Sequence, residues 1–201
     1  MKVVAAVLSY NRRALWKRTV KSLDRSTLPL ELVFYDNGSS DGTEALVVQR
    51  GGVCNKTGNH SIGHGVRAAV GLALNRRPEL VLLSGDDYEY HDRWLEHLVA
   101  FWRAAPADVA ICTLSIEPAY HWSPVLSTKV IGGQVVLVRR TVPGANWSFR
   151  PGLWGEIESL IPDNSHKYDH RVCAALNEAG RWLCALPLAE HIGEGRRSWK
   201  R

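Results

Sequence analysis

Apolar and polar positions fall in alternating blocks over the first 113 residues. Lys2 to Ser9 is almost unbroken apolar sequence and predicts a buried strand, ended by the turn-forming Tyr10-Asn11. Trp16, Val20 and Leu23 then repeat at 4,3 spacing, which predicts an amphipathic helix. Pro29 breaks the chain before a second apolar run, Leu32-Val33-Phe34-Tyr35. That run opens into Asp36-Asn37-Gly38-Ser39-Ser40-Asp41-Gly42, which is turn chemistry throughout. Asp41, with Glu44 three residues on, predicts a helix cap. A short strand near Val53 and a helix carrying Val66, Val70 and Leu74 follow. Leu80-Val81-Leu82-Leu83 predicts a strand ending in Ser84-Gly85-Asp86-Asp87. A helix with Trp94, Leu95, Leu98, Phe101 and Trp102 comes next, and Asp108 to Thr113 is a fifth strand.

This β-α-β-α order predicts an α/β fold with a mostly parallel sheet flanked by helices. The regularity stops after Leu114. Residues 115–132 and 140–168 are rich in Pro, Gly, Trp and His and read as irregular, with one strand, Gln134 to Arg139, between them. A last helix from Asp169 to Ala179 stops at Gly180, and a strand from Arg181 to Leu186 follows. Long loops interrupting a compact domain are usually functional. Here they would cover the strand ends that carry the carboxylates.

A chain of 201 residues with 45% hydrophobic content fits one domain that buries its own core. Its longest apolar run, Val3 to Leu8, is far too short to cross a bilayer and too short for a signal peptide, so a cytoplasmic protein is expected. Cys54, Cys112, Cys173 and Cys184 stand far apart with no CxxC pair, which argues against zinc and against a disulfide framework. The net charge is +5. Lys2, Arg12, Arg13, Lys17, Arg18, Lys21 and Arg25 face a single early acid, Asp24, and residues 196–201 form a basic tail. Such a surface suits nucleotide phosphates, nucleic acid or an anionic membrane, or else is a solvated helix face.

Three polar clusters each follow a predicted strand: Tyr10-Asn11-Arg12, Asp36-Asn37-Gly38 and Asp86-Asp87. In a parallel sheet these turns share one edge, where open α/β sheets bind ligands. Adjacent carboxylates repel, and a hard cation removes that penalty while offering open positions to phosphate oxygens. The set suits a nucleotide diphosphate, with Asp36 accepting from a base N–H or a ribose hydroxyl. A solvated acidic turn and an Asx turn are the plainer alternatives.

Ser9-Tyr10-Asn11-Arg12 and Asp36-Asn37-Gly38-Ser39-Ser40-Asp41-Gly42-Thr43 resemble the opening of family 2 glycosyltransferases of the GT-A fold. Gly85-Asp86-Asp87-Tyr88 is similar to that family's metal motif in its Asp-Asp form. Asn59-His60-Ser61-Ile62-Gly63 departs in spacing from the family's helix-opening segment. Asp169, eleven residues before Gly180, resembles the Asp of the family's Glu-Asp pair, with Tyr168 in the Glu position. His191-Ile192-Gly193 resembles a late His-x-Gly, whose His approaches the metal.

The resemblance implies a single GT-A-like domain over 1–201. Residues 1–114 would bind the nucleotide sugar, 115–193 the acceptor, and 194–201 form the basic tail. It implies an inverting glycosyltransferase using a UDP- or dTDP-sugar. Mn²⁺ or Mg²⁺ would sit on Asp87 and His191, with Asp86 at the ribose or at metal-bound water. Asp169 would be the general base, with Asp163 as the alternative. Tyr10, Asn11, Arg12, Asp36, Asn37 and Gly38 would bind the donor, and Arg196 or Arg197 would close over the diphosphate. Trp154 would stack on substrate among the aromatics Tyr120, His121, Trp122, Trp147 and Phe149, any of which reads equally as core. The acceptor stays open between a glycan, a small molecule, a lipid-linked sugar and modified nucleic acid, and no oligomeric state is implied. Two other classes compete: a nucleotidyltransferase, disfavoured by the lack of Gly after the first strand, and a non-catalytic nucleic-acid-binding module.

Overall fold

The computed structural model describes residues 1–58, 60–115, 124–162 and 167–193. Its strands are β1 (Val3–Ser9), β2 (Glu31–Asp36), β3 (Val53–Cys54), β4 (Leu80–Gly85), β5 (Tyr88–Tyr90), β6 (Val109–Thr113), β7 (Val125–Ile131), β8 (Gln134–Arg139), β9 (Asn146–Phe149), β10 (Trp182–Ala185) and β11 (Ala189–His191). Its helices are α1 (Arg13–Leu23), α2 (Thr43–Gln49), α3 (Ile62–Leu74), α4 (Trp94–Ala104), α5 (Trp154–Ile157) and α6 (Tyr168–Glu178). Nine strands form one sheet in the order β3-β2-β1-β4-β9-β6-β10-β8-β7. The pairings of β3, β2, β1 and β4 are parallel. Only β9 and β8 run against the other strands, so the sheet is mostly parallel in direction with two reversed strands let into it.

Alternation along β1 explains the two-sided cover. Val3, Ala5 and Val7 face a core built with Trp16, Val20 and Leu23 of α1 and the aromatics of α4. Val4 and Ala6 face a second core with Val66 and Val70 of α3, Trp154 of α5 and Val172 of α6. Burial on both faces is what makes β1 and β4 read as continuous apolar runs.

Four strands lie outside the sequence expectation. β7 and β9 fall in the stretches expected to be irregular. β7 is an edge strand with most of its side chains exposed, so its pattern carries no buried face. β9, Asn-Trp-Ser-Phe, is buried at all four positions, and its polar members hide it among loop-like sequence. Among the described residues β5 and β11 are three residues each and pair only with one another. The helix cap also differs: Gly42 is the residue at the α2 N-terminus, in the left-handed region. Asp41 instead accepts from the N–H of Thr43 (2.9 Å) and from that of Arg13 (3.0 Å), tying the starts of α2 and α1 together.

Gly63, in the first turn of α3, carries the segment that leads towards α6. A Cβ there would collide with the Pro162 backbone carbonyl. Alanine gains about 1 kcal/mol over glycine in helix propensity, but overpacking against rigid backbone costs about 1–3 kcal/mol. Gly63→Ala is therefore expected to lower stability despite its better helix propensity. Urea unfolding reads the sign directly, and a stabilised variant would show that residues 160–162 dock elsewhere.

Candidate active site

The ends of β1, β2 and β4 converge as the strand order requires. The turn after β1 is tied to the turn after β2 by side chains from both. Asn11 takes the left-handed region (φ 50°), which Asn tolerates well. Its N–H donates to Ser39 Oγ (2.9 Å), and its Oδ1 accepts from the Ser40 N–H (2.7 Å). Asp36 is fully buried. Its carboxylate accepts from the N–H groups of Gly38 (3.1 Å) and Ser39 (2.8 Å) and from the Ser39 hydroxyl. Three of its roughly four acceptor positions thus serve its own loop. Asn37 donates through Nδ2 to the His60 carbonyl (2.8 Å), fixing this loop to the start of α3.

The Asp-Asp pair divides its work. Asp86 is 5% exposed and accepts from the Tyr10 N–H (3.1 Å). Burial pushes its carboxyl up to about 7, against the opposing pull of the Arg12 charge and the Tyr10 N–H. Asp87 is 6% exposed. Its Oδ2 takes both the guanidinium of Arg12 and, at 2.9 Å, His191 Nε2. The backbone fixes this meeting. α1 holds β5 from one side, with Thr19 Oγ accepting from the Tyr88 N–H (3.1 Å) and Ser22 Oγ from the Tyr90 N–H (3.0 Å). β11 pairs on β5 with His191 opposite Tyr88, and the Ile192 N–H donates to the Asp87 carbonyl (2.8 Å). Gly193 then passes so close that a Cβ would lie 2.8 Å from Asp87 Oδ2, 2.9 Å from Arg12 Nη1 and 3.0 Å from His191 Nε2.

Asp169 is not among the residues that line the cleft; it follows Tyr168, which does line it and is tied to the segment before β9. The Gly85 N–H donates to the Ala145 carbonyl (2.7 Å), and the Tyr168 hydroxyl donates to the Gly144 carbonyl (2.5 Å). Burial raises the Asp169 carboxyl, while the His170 charge and the N–H groups of His170 and Gly144 pull it back. Tyr10, Arg12, Asp86, Asp87, Ala145 and Tyr168 line one cleft, with Leu8, Ile62 and Val66 as its apolar lining.

Asp87 and His191 are residues that could hold a divalent ion, although Asp87 Oδ2 is paired with Arg12 and His191 in the structure. Ligands bonded at 2.0–2.1 Å on adjacent octahedral positions lie about 3 Å apart, and Asp87 Oδ2 and His191 Nε2 are 2.9 Å apart. Among the described residues no three His, Cys, Asp or Glu groups converge. Two protein ligands with the remainder left to substrate phosphates is how such ions usually bind nucleotides.

The family model of glycosyl transferase family 2 matches the chain over residues 5–172. The chain belongs to this family. The solved structures that this family 2 glycosyltransferase resembles have the GT-A fold. One is the mannosyltransferase PcManGT from Pyrobaculum calidifontis in complex with GDP-Man and Mn²⁺ (16% identity, TM-score 0.69, 98% of this chain and 58% of that one). Another is S. aureus TarS 1–349 in complex with UDP-GlcNAc (17%, 0.71, 100% and 61%). A third is GalNAc-T7 with UDP, GalNAc and Mn²⁺ (12%, 0.69, 96% and 44%). The chain thus spans about three-fifths or less of these proteins' own length. No curated protein matches it.

In this family 2 chain the structure brings Tyr10, Arg12, Asp86, Asp87 and His191 into one cluster. Asn11, Asp36, Asn37 and Gly38 form the adjoining double turn. It does not bring Trp154 to the cleft lining: the ring is 6% exposed and stacks on Phe149, centroids 6.0 Å apart. Trp147 and Phe149 are fully buried on β9. Arg196, Arg197, Asp163, Tyr120, His121 and Trp122 lie outside the described residues. Ser39, Tyr168 and the Thr19–Ser22 pair are structural partners of the site that sequence reasoning missed. Two small hydroxyl residues three apart on the inner face of α1 were the available signal. Among the described residues no helix is long and apolar enough to cross a membrane.

Proposed function

We propose that the chain transfers a sugar from a UDP- or dTDP-sugar to an acceptor hydroxyl, with inversion at the anomeric carbon. The observation that carries this reading is the pairing of Asp87 Oδ2 and His191 Nε2 at 2.9 Å, at the edge where β1, β2 and β4 end. The Mn²⁺ in two of the similar structures supports it, as do the nucleotide sugars in two. A divalent ion held by Asp87 and His191 would neutralise the diphosphate as it leaves. The ion would be Mn²⁺ or Mg²⁺. Asp36 shapes the double turn, whose backbone groups hold the base. Asp86, facing the Tyr10 turn, contacts the ribose or metal-bound water. Asp169 takes the proton of the acceptor hydroxyl as its oxygen bonds to the anomeric carbon and the bond to the diphosphate breaks.

Calorimetric titration of UDP, dTDP and GDP into the full chain, with Mn²⁺ and again with EDTA, tests this reading. UDP or dTDP is expected to bind with the metal and to lose at least about tenfold in affinity with EDTA. Preference for GDP would reassign the donor. No binding by any of the three would remove the donor site.

A further inference from the structure

Asp87 presents the same oxygen to two partners, and this points to a role for Arg12 beyond lining the cleft. A carboxylate buried to this depth needs a counter-charge. In the structure Arg12 supplies it, its guanidinium on Oδ2 beside His191 Nε2. Gly85 and Gly193 pass beside the carboxylate: a Cβ at Gly85 would lie 2.8 Å from Oδ1, and one at Gly193 would lie 2.8 Å from Oδ2. A divalent ion and a guanidinium on the same oxygen repel each other, so they compete for Oδ2.

The Arg12 backbone is held independently of its charge. Its N–H donates to Thr43 Oγ (3.3 Å), and its carbonyl accepts from the Trp16 N–H (2.8 Å) at the start of α1. The guanidinium can therefore leave Asp87 while the residue stays at the mouth of the helix, lining the cleft. Its planar fork is suited to two phosphate oxygens at once.

We infer that Arg12 is the resident counter-cation of Asp87, displaced by the incoming divalent ion and transferred onto the donor's diphosphate. The inference rests on the proposed metal at Asp87 and His191. It makes Arg12 a positioning residue that couples the two ligands. Metal alone must compete with Arg12 for Asp87, and diphosphate alone must draw Arg12 away from it. Together each relieves the other's cost, which is positive coupling in the thermodynamic sense.

The test measures Mn²⁺ affinity by the electron paramagnetic resonance of free Mn²⁺, with and without saturating UDP, in wild type, Arg12→Met and Arg12→Lys. Wild type is expected to bind Mn²⁺ at least about tenfold tighter when UDP is present. Arg12→Met is expected to bind Mn²⁺ alone about tenfold tighter than wild type, and the UDP effect is expected to shrink to what direct phosphate–metal contact supplies, below the wild-type value. Arg12→Lys keeps a charge near Asp87 and stays folded if the Met variant does not. It should fall between the two, since an ammonium lacks the fork. Weaker Mn²⁺ binding by Arg12→Met in the absence of UDP would reduce Arg12 to a structural support and overturn the inference. If wild type takes up no Mn²⁺ even with UDP, the metal reading of Asp87 fails, and this inference with it.

Discussion

Asp87→Ala is expected to abolish metal-dependent UDP binding and to lower kcat/KM by roughly 10³-fold or more. The size follows from what the side chain supplies. It is the carboxylate of the Asp87–His191 pair, and stabilising charge on a leaving group is usually the largest single contribution to such a reaction. The fold should survive, because the Asp87 backbone, not its side chain, accepts the Ile192 N–H that seats β11 against β5. Removing the carboxylate does leave Arg12 and His191 facing each other, so a thermal melt must accompany the titration. Asp87→Asn separates the two effects. It keeps the shape and still accepts from Arg12, yet it lacks the charge. Both variants should therefore lose the metal, and the Asn form should melt closer to wild type. Metal-dependent binding retained by Asp87→Asn would move the ion elsewhere, and Asp86 would then be the next residue to change.

The same residues show how far the site was legible beforehand. Long apolar runs bounded by turn chemistry announced β1, β2 and β4, and with them the shared edge of three polar turns. Period and burial agree there because both faces of the sheet are covered. The Asp87–His191 meeting was not legible in that way. It depends on β5 and β11, two three-residue strands paired with each other, and nothing in Tyr88-Glu89-Tyr90 or Ala189-Glu190-His191 marks that pairing by pattern. His191 was singled out by resemblance alone. Trp154 shows the opposite difficulty. An aromatic in a Gly/Pro-rich stretch reads the same whether it meets a ligand or a neighbour, and here it meets Phe149. Asp36 marks a third boundary. Its place at a strand end was legible, whereas the spending of its carboxylate on Gly38 and Ser39 needed the turn itself.

Asp169→Asn is expected to lower kcat by about 10²–10⁴-fold, the usual worth of a general base, while UDP affinity with Mn²⁺ stays within about threefold. The substitution is nearly isosteric. An amide oxygen can still accept from the N–H groups of His170 and Gly144, and Tyr168 still fixes the Gly144 carbonyl. Only the ability to take a proton is removed, so the loss should fall on kcat rather than on donor binding. The pH profile gives an independent reading. Burial raises the Asp169 carboxyl above the ordinary aspartate range near 3.9. A raised pKa keeps the group protonated to higher pH, and a protonated carboxyl cannot act as a base. Activity should therefore decline as pH falls through a value above the usual carboxylate range, and that limb should be absent from the residual activity of the Asn variant. The reading is overturned if Asp169→Asn turns over at the wild-type rate. Asp163, six residues earlier in the chain, would then be the carboxylate to test.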